Sequence, residues 1–560
     1  MRRRGVFEPV IRERSMETDY LIIGAGTAGC VLADRLSADG ASKVLLLEAG
    51  GSDRRLMVRI PAGFYHLLRT PAVGWGYETA PEPGLDGRRV PYPRGRIVGG
   101  CSSINGLWQS RGLPSDYGAW AEAAGDEWGY SAMLPYFQRS EAYRPGGTTR
   151  GTSGKIRVEP SEIHPLTRQF FAAGRRLQLP WIEDYNDTPG EGLAPVQQTR
   201  RGRLRHSAAD AYLRGALRRG NLQLVSNALV TRIAFDGSRA IGAHVSIAGQ
   251  EPVLIRARRE VILAAGAINS PHLLHLSGIG PAEELRRVGI TTVLDLPAVG
   301  ENLHDHYNAR VAGRLTRGSS LNQDSRFPRL VPHLFRYALR GRGILTYSAA
   351  NGTGFVKSSP DEPEPDLQLV FTPASYSPEG GGKLDSFAAV SCGVWLMRPQ
   401  SRGRLRTVSA DPRAKPSFHL GFLQSDSDRR RMLVGMQWAR RLLAEAFGDE
   451  IAEVRPGPEV QDEAALLRYM QQTGATVFHP VGSCRMGRDE AAVVDPRLQV
   501  NGIAGLRVVD ASVIPTIPSS NTHAPVVALA EKAADLILGN PPAPPATAIR
   551  TTRELSRHDQ

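Results

Sequence analysis

The stretch that decides the fold is Asp19-Tyr-Leu-Ile-Ile-Gly-Ala-Gly-Thr-Ala-Gly29, near the start of the chain. Its apolar run at 19–23 predicts a buried strand, its glycines predict a tight turn, and residues 30–36 predict an apolar helix. A second apolar run, Lys43–Glu48, predicts another buried strand that ends in a carboxylate. The order strand, glycine turn, helix and strand indicates a βαβ unit, whose parallel strands are buried on both faces.

This unit also predicts a dinucleotide site. Gly24 permits the tight turn, Gly26 lets a pyrophosphate approach the backbone, and Gly29 lets helix and strand pack closely. Backbone N–H groups at the start of the helix would face the phosphates. Glu48, which lies 19 residues beyond Gly29, can accept hydrogen bonds from ribose hydroxyls. The pattern leaves FAD and NAD open, and an ordinary glycine turn with an incidental acid is the alternative.

The composition fits a large folded protein. The chain has 560 residues, of which 41% are hydrophobic and 22% charged, and this excludes disordered, collagen-like and coiled-coil chains. A chain of this length is expected to contain two or more structural regions. Since no apolar run approaches the roughly 18 residues that a bilayer requires, no membrane-spanning helix is predicted.

The charge and the start of the chain bear on partners and location. The 69 basic and 56 acidic residues give a net charge of +13, which could indicate a nucleic-acid or anionic-membrane partner. The arginines are spread along the chain without a basic tail or interleaved aromatic residues, so we expect no nucleic-acid binding. Residues 1–15 lack the apolar core of a secretory signal and are predicted to be a disordered extension, with Met16 as an alternative start. We therefore expect a cytoplasmic protein, with peripheral attachment to the inner membrane as the alternative.

The cysteines and histidines do not indicate a metal centre. Only four cysteines occur, at widely separated positions, and no His/Cys/Asp spacing matches a metal site. We therefore expect neither a disulfide scaffold nor a metal.

Five further motifs follow the βαβ unit in order. They are Gly95-Arg-Ile-Val-Gly-Gly-Cys-Ser-Ser-Ile-Asn-Gly106, the segment 266–280, Phe478-His-Pro-Val-Gly-Ser-Cys-Arg-Met-Gly487, Leu506-Arg-Val-Val-Asp-Ala-Ser512 and Asn521-Thr-His-Ala-Pro525. Together they closely resemble the glucose–methanol–choline (GMC) family of FAD-dependent oxidoreductases, especially its bacterial alcohol- and choline-dehydrogenase-like members. The resemblance extends from about Glu17 to Leu538.

The resemblance implies an α/β fold of two interleaved domains. Residues 17–155, 200–305 and 480–540 would form a Rossmann-like FAD-binding domain with a parallel sheet. Residues 156–199 and 306–479 would form a substrate-binding domain with a mostly antiparallel sheet and helices. The tails, 1–15 and 541–560, are expected to be disordered. The arginine-rich segment around Arg205-x-Ser207 resembles a segment that precedes a helix in members of the family. This resemblance implies that the arginines have a structural role.

The resemblance also implies which residues hold FAD. The ADP half, the flavin and the pyrophosphate would contact Gly24, Gly26, Thr27, Ala28, Gly29, Glu48, Arg96, Val98, Gly99, Gly100, Ser102, Asn105, Gly106, Val230, Asp510, Ala511, Thr522 and Pro525. Some family members attach the flavin covalently through a histidine just before the Asn of the 95–106 loop. Ile104 occupies that position here, so non-covalent FAD is expected.

Two histidines are the candidate catalytic residues. Removing hydride from an alcohol carbon requires a base for the hydroxyl proton, and a histidine suits this near neutral pH. His479 and His523, which lie 44 residues apart, match the family's paired active-site positions. We predict that His479 is the general base and that His523 positions the substrate oxygen and shares the proton. The remaining histidines, His306 among them, are interpreted as packing, loop or exposed residues.

The predicted activity is oxidation of a primary alcohol to an aldehyde by hydride transfer to flavin N5. Alternatives are a flavin-containing, hydroxynitrile-lyase-like enzyme and a non-catalytic flavoprotein on the same fold. Choline is disfavoured, because choline-type dehydrogenases usually carry Asn where this chain has His523, and no pocket for a quaternary ammonium is evident. The alcohol, the electron acceptor (oxygen, a quinone or another molecule) and the oligomeric state stay open.

Overall fold

The computed structural model describes residues 17–377 and 383–544. The predicted tails lie outside these ranges, apart from 541–544. Two seven-stranded sheets dominate the described residues. Their strands, in chain order, are β1 Glu17–Ile23, β2 Val44–Glu48, β3 Gly192–Pro195, β4 Leu222–Ser226, β5 Ala228–Asp236, β6 Arg239–Ile247, β7 Val253–Leu263, β8 Tyr307–Leu315, β9 Gly352–Val356, β10 Leu367–Thr372, β11 Ala389–Leu396, β12 Ile451–Arg455, β13 Ala475–Thr476 and β14 Leu506–Val508.

Helices cover both sheets. The longer ones are α1 Thr27–Leu36, α2 Pro114–Ala124, α3 Tyr130–Ser140, α4 Pro165–Arg176, α5 Gly266–Leu276, α6 Leu330–Arg340, α7 Asp426–Phe447, α8 Glu463–Thr473 and α9 His523–Leu538. A smaller sheet is formed by Glu141–Tyr143, Ile156–Pro160, Gln197–Arg201 and Leu204–Arg205. No helix within the described ranges is long and apolar enough to cross a bilayer.

The first sheet contains the predicted βαβ unit. Its strand order is β4-β2-β1-β7-β6-β5, and β14 pairs with β7. The pairs β4/β2, β2/β1, β1/β7 and β7/β14 are parallel, whereas β5, β6 and the start of β7 form an antiparallel meander. The turn into α1 depends on glycine: Gly24 has φ +104°, and a Cβ on Gly29 would lie 1.9 Å from the Gly24 carbonyl oxygen. Glycine is therefore required where the helix packs against the strand.

The second sheet is antiparallel throughout. Its order is β12-β8-β11-β10-β9-β3, and β13 pairs with β8. Helix α7 packs on this sheet through buried residues such as Met432, Met436 and Leu443. The predicted combination of a parallel sheet with a mostly antiparallel one is confirmed. The domain boundaries proposed from the sequence stay a prediction.

Three further sequence patterns can be compared with the structure: the run Glu260–Leu263 predicts a strand, the apolar spacing near Asp428–Phe447 predicts a helix, and the Gly-, Pro- and Arg-rich segment 59–106 predicts a long ordered loop. All three elements differ in part from these predictions. The strand expected at 260–263 is the end of the longer β7, whose first residues alternate between exposed and buried because they pair with β6. Their charged side chains conceal the strand in the sequence. Helix α7 begins at Asp426, two residues before the predicted start. The segment 59–106, expected to be one long loop, contains short helical turns and two short strands.

Candidate active site

One large cavity lies between the two sheets and has a volume of about 1190 Å³. Its floor includes Gly24, Glu48 and Ala264, at the carboxyl ends of β1, β2 and β7, and its roof includes Asn308 and Trp395 of the second sheet. The carboxyl edge of a parallel sheet is where ligands bind in such folds. The position of the cavity therefore agrees with the predicted dinucleotide site.

The backbone around Gly26 forms one end of this cavity. A Cβ on Gly26 would meet only the Ala264 carbonyl oxygen, at 3.8 Å, so the side of the turn that faces the cavity is open. Gly26 is also the N-cap of α1, whose first N–H groups have no partner within the helix. An open backbone beside free N–H groups suits a phosphate. Gly100 packs against the opposite side of the Gly26 turn, because a Cβ on Gly100 would lie 2.8 Å from the Gly26 Cα.

Glu48 lies at the same end and is held by the backbone. Its Oε2 accepts a hydrogen bond from the Ala25 N–H at 3.0 Å, and its Oε1 accepts one from the Gly50 N–H at 2.8 Å. Burial raises the pKa of Glu48 to about 7, although both of these N–H groups favour the carboxylate. These bonds fix both oxygens at the end of β2, where the cavity reaches Asn227 and Val230. The residues present fit the adenosine half of FAD.

The loop after Arg96 carries the polar groups that face the middle of the cavity. Arg205 is buried beneath it, and its Nη1 donates to Asn105 Oδ1 at 2.7 Å and to the Ser102 carbonyl at 3.2 Å. Arg205 thus orders the loop, as expected for a structural role. Ile104, which occupies the position of the flavin-linked histidine, is buried and lines the cavity.

Most of the predicted site residues meet in this cavity. Those that line it are Gly24, Gly26, Thr27, Ala28, Glu48, Arg96, Gly100, Ser102, Asn105, Gly106, Val230, His479, Asp510, Ala511, Thr522 and His523. Four do not line it, namely Gly29, Val98, Gly99 and Pro525. Gly29 acts in helix packing, and the Val98 carbonyl accepts a hydrogen bond from Ser103 Oγ at 2.8 Å.

His479 is linked to a second buried histidine. Its Nδ1 lies 3.1 Å from Nδ1 of His306, whose Nε2 lies 2.9 Å from the Met397 carbonyl oxygen. On the other side, Nε2 of His479 lies 2.9 Å from Nδ2 of Asn521. Burial lowers the pKa of His306 to about 4, and burial with repulsion from His306 and Arg94 lowers the pKa of His479 well below its usual value. Both imidazoles are therefore neutral at pH 7.

Asp305 holds the two histidine segments together. Its Oδ1 accepts from the backbone N–H of His306 at 2.7 Å and from that of His479 at 2.8 Å. Its Oδ2 accepts from the hydroxyls of Tyr92, at 2.6 Å, and Thr476. The carboxylate thus fixes the distance between segments that lie far apart in the sequence.

His523 begins α9 and faces the start of α1. Its Nδ1 lies 3.4 Å from the Thr27 hydroxyl, and its buried Nε2 has no hydrogen-bond partner. Burial, with a smaller contribution from Arg205, lowers the pKa of His523 to about 4. Asn521 Oδ1 is also buried without a partner. Two unpartnered polar atoms on cavity-lining residues, one of them on Asn521 beside His479, indicate a place for a ligand's polar group, because buried polar atoms normally have a partner.

The charged side chains in the lining of the cavity are unevenly distributed. Among the described lining residues, Glu48 and Asp510 are the only carboxylates, and both accept hydrogen bonds from backbone N–H groups. Near His479, half-buried Arg94 donates from Nη1 to the Phe478 carbonyl at 2.7 Å. The Trp395 ring lies 6.4 Å from the His479 ring, centroid to centroid. The cavity lining around His479 therefore combines an aromatic ring with a guanidinium group.

The sequence interpretation missed three residues here. His306 was assigned to packing or exposure, and Asp305 and Asn521 were given no role. His306 is buried and contacts His479 directly, so the earlier interpretation of it was incomplete. The signal was local: Asp305 and His306 lie in Asn-Leu-His-Asp-His, just before a strand, but nothing there indicates contact with residue 479. Within residues 17–377 and 383–544, no group of three or more His, Cys, Asp or Glu side chains could hold a metal ion.

Comparisons with known proteins identify the family. Family models described as GMC oxidoreductase match residues 18–308 and 399–530. The "Oxygen-dependent choline dehydrogenase" of Photobacterium profundum is 37% identical over 95% of this chain and 94% of its own. The "Alcohol dehydrogenase [acceptor]" of Pseudomonas putida is 37% identical over 93% of this chain and 95% of its own.

A solved structure extends the comparison to the whole fold. The crystal structure of pyridoxine 4-oxidase from Mesorbium loti superposes with a TM-score of 0.85 at 29% identity, and the match covers 94% of this chain and all of that one. The GMC resemblance, the fold class and FAD as the cofactor are thereby confirmed. The chain belongs to the GMC oxidoreductase family of FAD-dependent enzymes.

Proposed function

We propose that this enzyme oxidises an uncharged primary alcohol to an aldehyde, with His479 as the general base. The observation that carries the proposal is the chain of hydrogen bonds from Met397 through His306 to His479. FAD, when bound, supplies the acceptor for the hydride. What the chain itself must supply is a base for the hydroxyl proton and a group that holds the substrate oxygen.

The hydrogen-bond chain supports Nε2 of His479 as the atom that takes the proton. The Met397 carbonyl can only accept, so His306 donates to it from Nε2–H. Neutral His306 then accepts at Nδ1, and His479 must donate from its own Nδ1–H. This leaves the lone pair of His479 on Nε2, which accepts from Nδ2 of Asn521. A substrate hydroxyl must replace this amide before Nε2 can take its proton. The opposite arrangement would require a buried His306 cation, which its lowered pKa disfavours.

His523 is proposed to hold the substrate oxygen. Its Nε2 is buried and without a partner, and a hydroxyl bound there would satisfy it. The Thr27 hydroxyl can orient the ring through Nδ1. The two histidines then have separate tasks: His479 removes the proton and His523 positions the oxygen.

The charge of the catalytic end supports an uncharged alcohol over choline. A quaternary ammonium beside His479 would lie near the Arg94 guanidinium, without a carboxylate among the described lining residues of that end to offset the repulsion. Trp395 offers an apolar surface for the substrate's chain or ring. We therefore expect aliphatic or aromatic alcohols to reduce the enzyme faster than choline does.

Non-covalent binding of FAD is proposed together with this function. Since Ile104 cannot form a bond to the flavin, FAD is held non-covalently, and acid precipitation should release all of it into the supernatant. Yellow colour that stays in the pellet would contradict this. The two-domain boundaries and a cytoplasmic location stay predictions.

The deciding experiment is anaerobic mixing of the purified enzyme with a panel of alcohols that includes choline. Alcohol oxidation predicts loss of the oxidised-flavin absorbance, whereas a lyase or a non-catalytic flavoprotein predicts none. Adding oxygen or a quinone to the reduced enzyme then identifies the acceptor. Faster reduction by choline than by every uncharged alcohol would overturn the proposed substrate class.

A further inference from the structure

Helix α6 differs from the other long helices of the described chain because none of its side chains is buried. Leu334, Phe335 and Leu339 are 46%, 63% and 81% exposed, and Phe327, just before the helix, is 84% exposed. Single exposed apolar residues are ordinary, but a cluster of large ones within a short segment marks a contact surface.

The apolar residues of α6 share one face. Positions 334, 335, 338 and 339 follow the helical repeat, so Leu334, Phe335 and Leu339 lie side by side. Polar contacts on the remaining side hold the helix in place: Tyr337 donates to the Arg203 carbonyl at 3.0 Å, and Arg336 forms an ion pair with Glu162. The apolar face thus points away from the residues that anchor the helix.

Arginines lie on the opposite side of α6 and on the segments that precede and follow it. Residues 317–342 contain six arginines and one acidic residue, Asp324. The six are all exposed and are Arg317, Arg326, Arg329, Arg336, Arg340 and Arg342. An amphipathic helix with an apolar face and flanking arginines matches helices that lie in the interface of an anionic bilayer.

The surface continues towards the cavity. Leu56 and Met57, 70% and 41% exposed, precede the turn 61–63, which contacts residues 344–346 immediately after α6. On the other side, Arg326 donates to the Asp385 carbonyl at 2.9 Å, and the neighbouring Leu384 N–H donates to the hydroxyl of Tyr65, a cavity-lining residue. The segments on either side of α6 are therefore connected to the residues around the cavity.

We propose that α6 and its flanking arginines dock the enzyme on an anionic phospholipid bilayer. The side chains of Phe335 and Leu339 enter the boundary between headgroups and acyl chains, and Arg340 and Arg342 contact the phosphates. Membrane docking can be tested without any measurement of turnover, so it does not depend on the proposed substrate.

The test uses the full-length, FAD-loaded enzyme and liposome flotation. Vesicles of phosphatidylglycerol and phosphatidylcholine should bind the protein, pure phosphatidylcholine should bind it weakly, and salt should weaken binding. The double variants Phe335→Ser/Leu339→Ser and Arg340→Ser/Arg342→Ser should each lower the partition coefficient about tenfold or more. Matched controls are Val253→Ser, at an exposed apolar position on β7, and Arg218→Ser, at an exposed arginine; both should bind as the parent does.

Each other outcome overturns the proposal. A parent enzyme that stays unbound at low salt would overturn it, and so would variants that bind as tightly as the controls. Light scattering could instead reveal a dimer that Phe335→Ser/Leu339→Ser dissociates, in which case a second copy of the chain covers α6. Unchanged flavin absorbance and melting temperature in the variants show that a loss of binding is not a loss of folding.

Discussion

The two ends of the cavity are built by different means. At the dinucleotide end, the contacts come mostly from backbone: the glycine turn, the start of α1 and the loop 95–106. At the end around His479, they come from side chains that three distant segments contribute, at 305–306, 479 and 521–523, and the Met397 carbonyl adds one backbone group. A backbone site is encoded in short local motifs, here the turn into α1 and the loop 95–106, whereas a side-chain network exists only after the chain has folded. The two ends should therefore respond differently to mutation.

The largest expected effect separates the two ends. His479→Ala should slow flavin reduction by about 10²–10⁴-fold, the usual contribution of a general base. FAD content should not change, because the dinucleotide end does not use this side chain. Stopped-flow reduction by the best alcohol, together with the flavin-to-protein absorbance ratio, measures both quantities. Reduction at the parent rate would show that the base has been misassigned, and His523 would be the next candidate.

The next effect tests whether the hydrogen-bond chain orients the base. His306→Phe keeps a ring beside Trp395 but leaves the Nδ1–H of His479 without an acceptor, so the proton is no longer confined to that nitrogen. We expect flavin reduction to slow by about 10- to 100-fold, less than the loss of the base itself. The matched control is His272→Phe. His272 is also a buried histidine, it lines the cavity, and its Nδ1 contacts Thr407.

A pH profile distinguishes orientation from simple damage. Repulsion from His306 helps to lower the pKa of His479, so removing His306 should raise that pKa towards its usual value. The acid limb of the rate profile should then move to higher pH in His306→Phe and stay unchanged in His272→Phe. If the two variants lose the same factor in rate and the acid limb of the rate profile does not shift, His306 has only a packing role.

The difference between the ends also explains what the sequence could predict. Gly24, Gly26, Gly29 and Glu48 lie within one βαβ unit, where local spacing carries the geometry. His479 and His523 were found through family-like motifs, not from physical chemistry alone. His306 was missed because its role depends on a 3.1 Å contact across 173 residues, which no local pattern encodes. The strand β7 was only partly predicted, since antiparallel pairing lets its outer residues be charged.

A smaller effect is expected at His523. His523→Ala removes the group that holds the substrate oxygen and should slow reduction about tenfold, the order expected from one lost hydrogen bond. His523→Asn should cost only a few-fold, because an amide can still donate to the oxygen. The ratio of the two variants is the informative quantity, since both shorten the side chain. Equal rates for Ala and Asn would show that the substrate oxygen is held elsewhere.

The smallest expected effect is that of pH on the parent enzyme. A base must be neutral before it can accept a proton, and burial and repulsion from His306 and Arg94 hold the pKa of His479 well below its usual value. The pKa of His523 is lowered to about 4 in the same way. As the pH falls from 8.5 to 6.5, neither imidazole gains a proton, so the rate of flavin reduction should change less than about twofold. Rapid-mixing rates at saturating alcohol, with FAD content checked at each pH, provide the measurement. A fall in the reduction rate with a midpoint above pH 6.5 would contradict this. It would show that His479 is protonated at pH 6.5, so that Nε2 has no lone pair with which to accept the substrate proton.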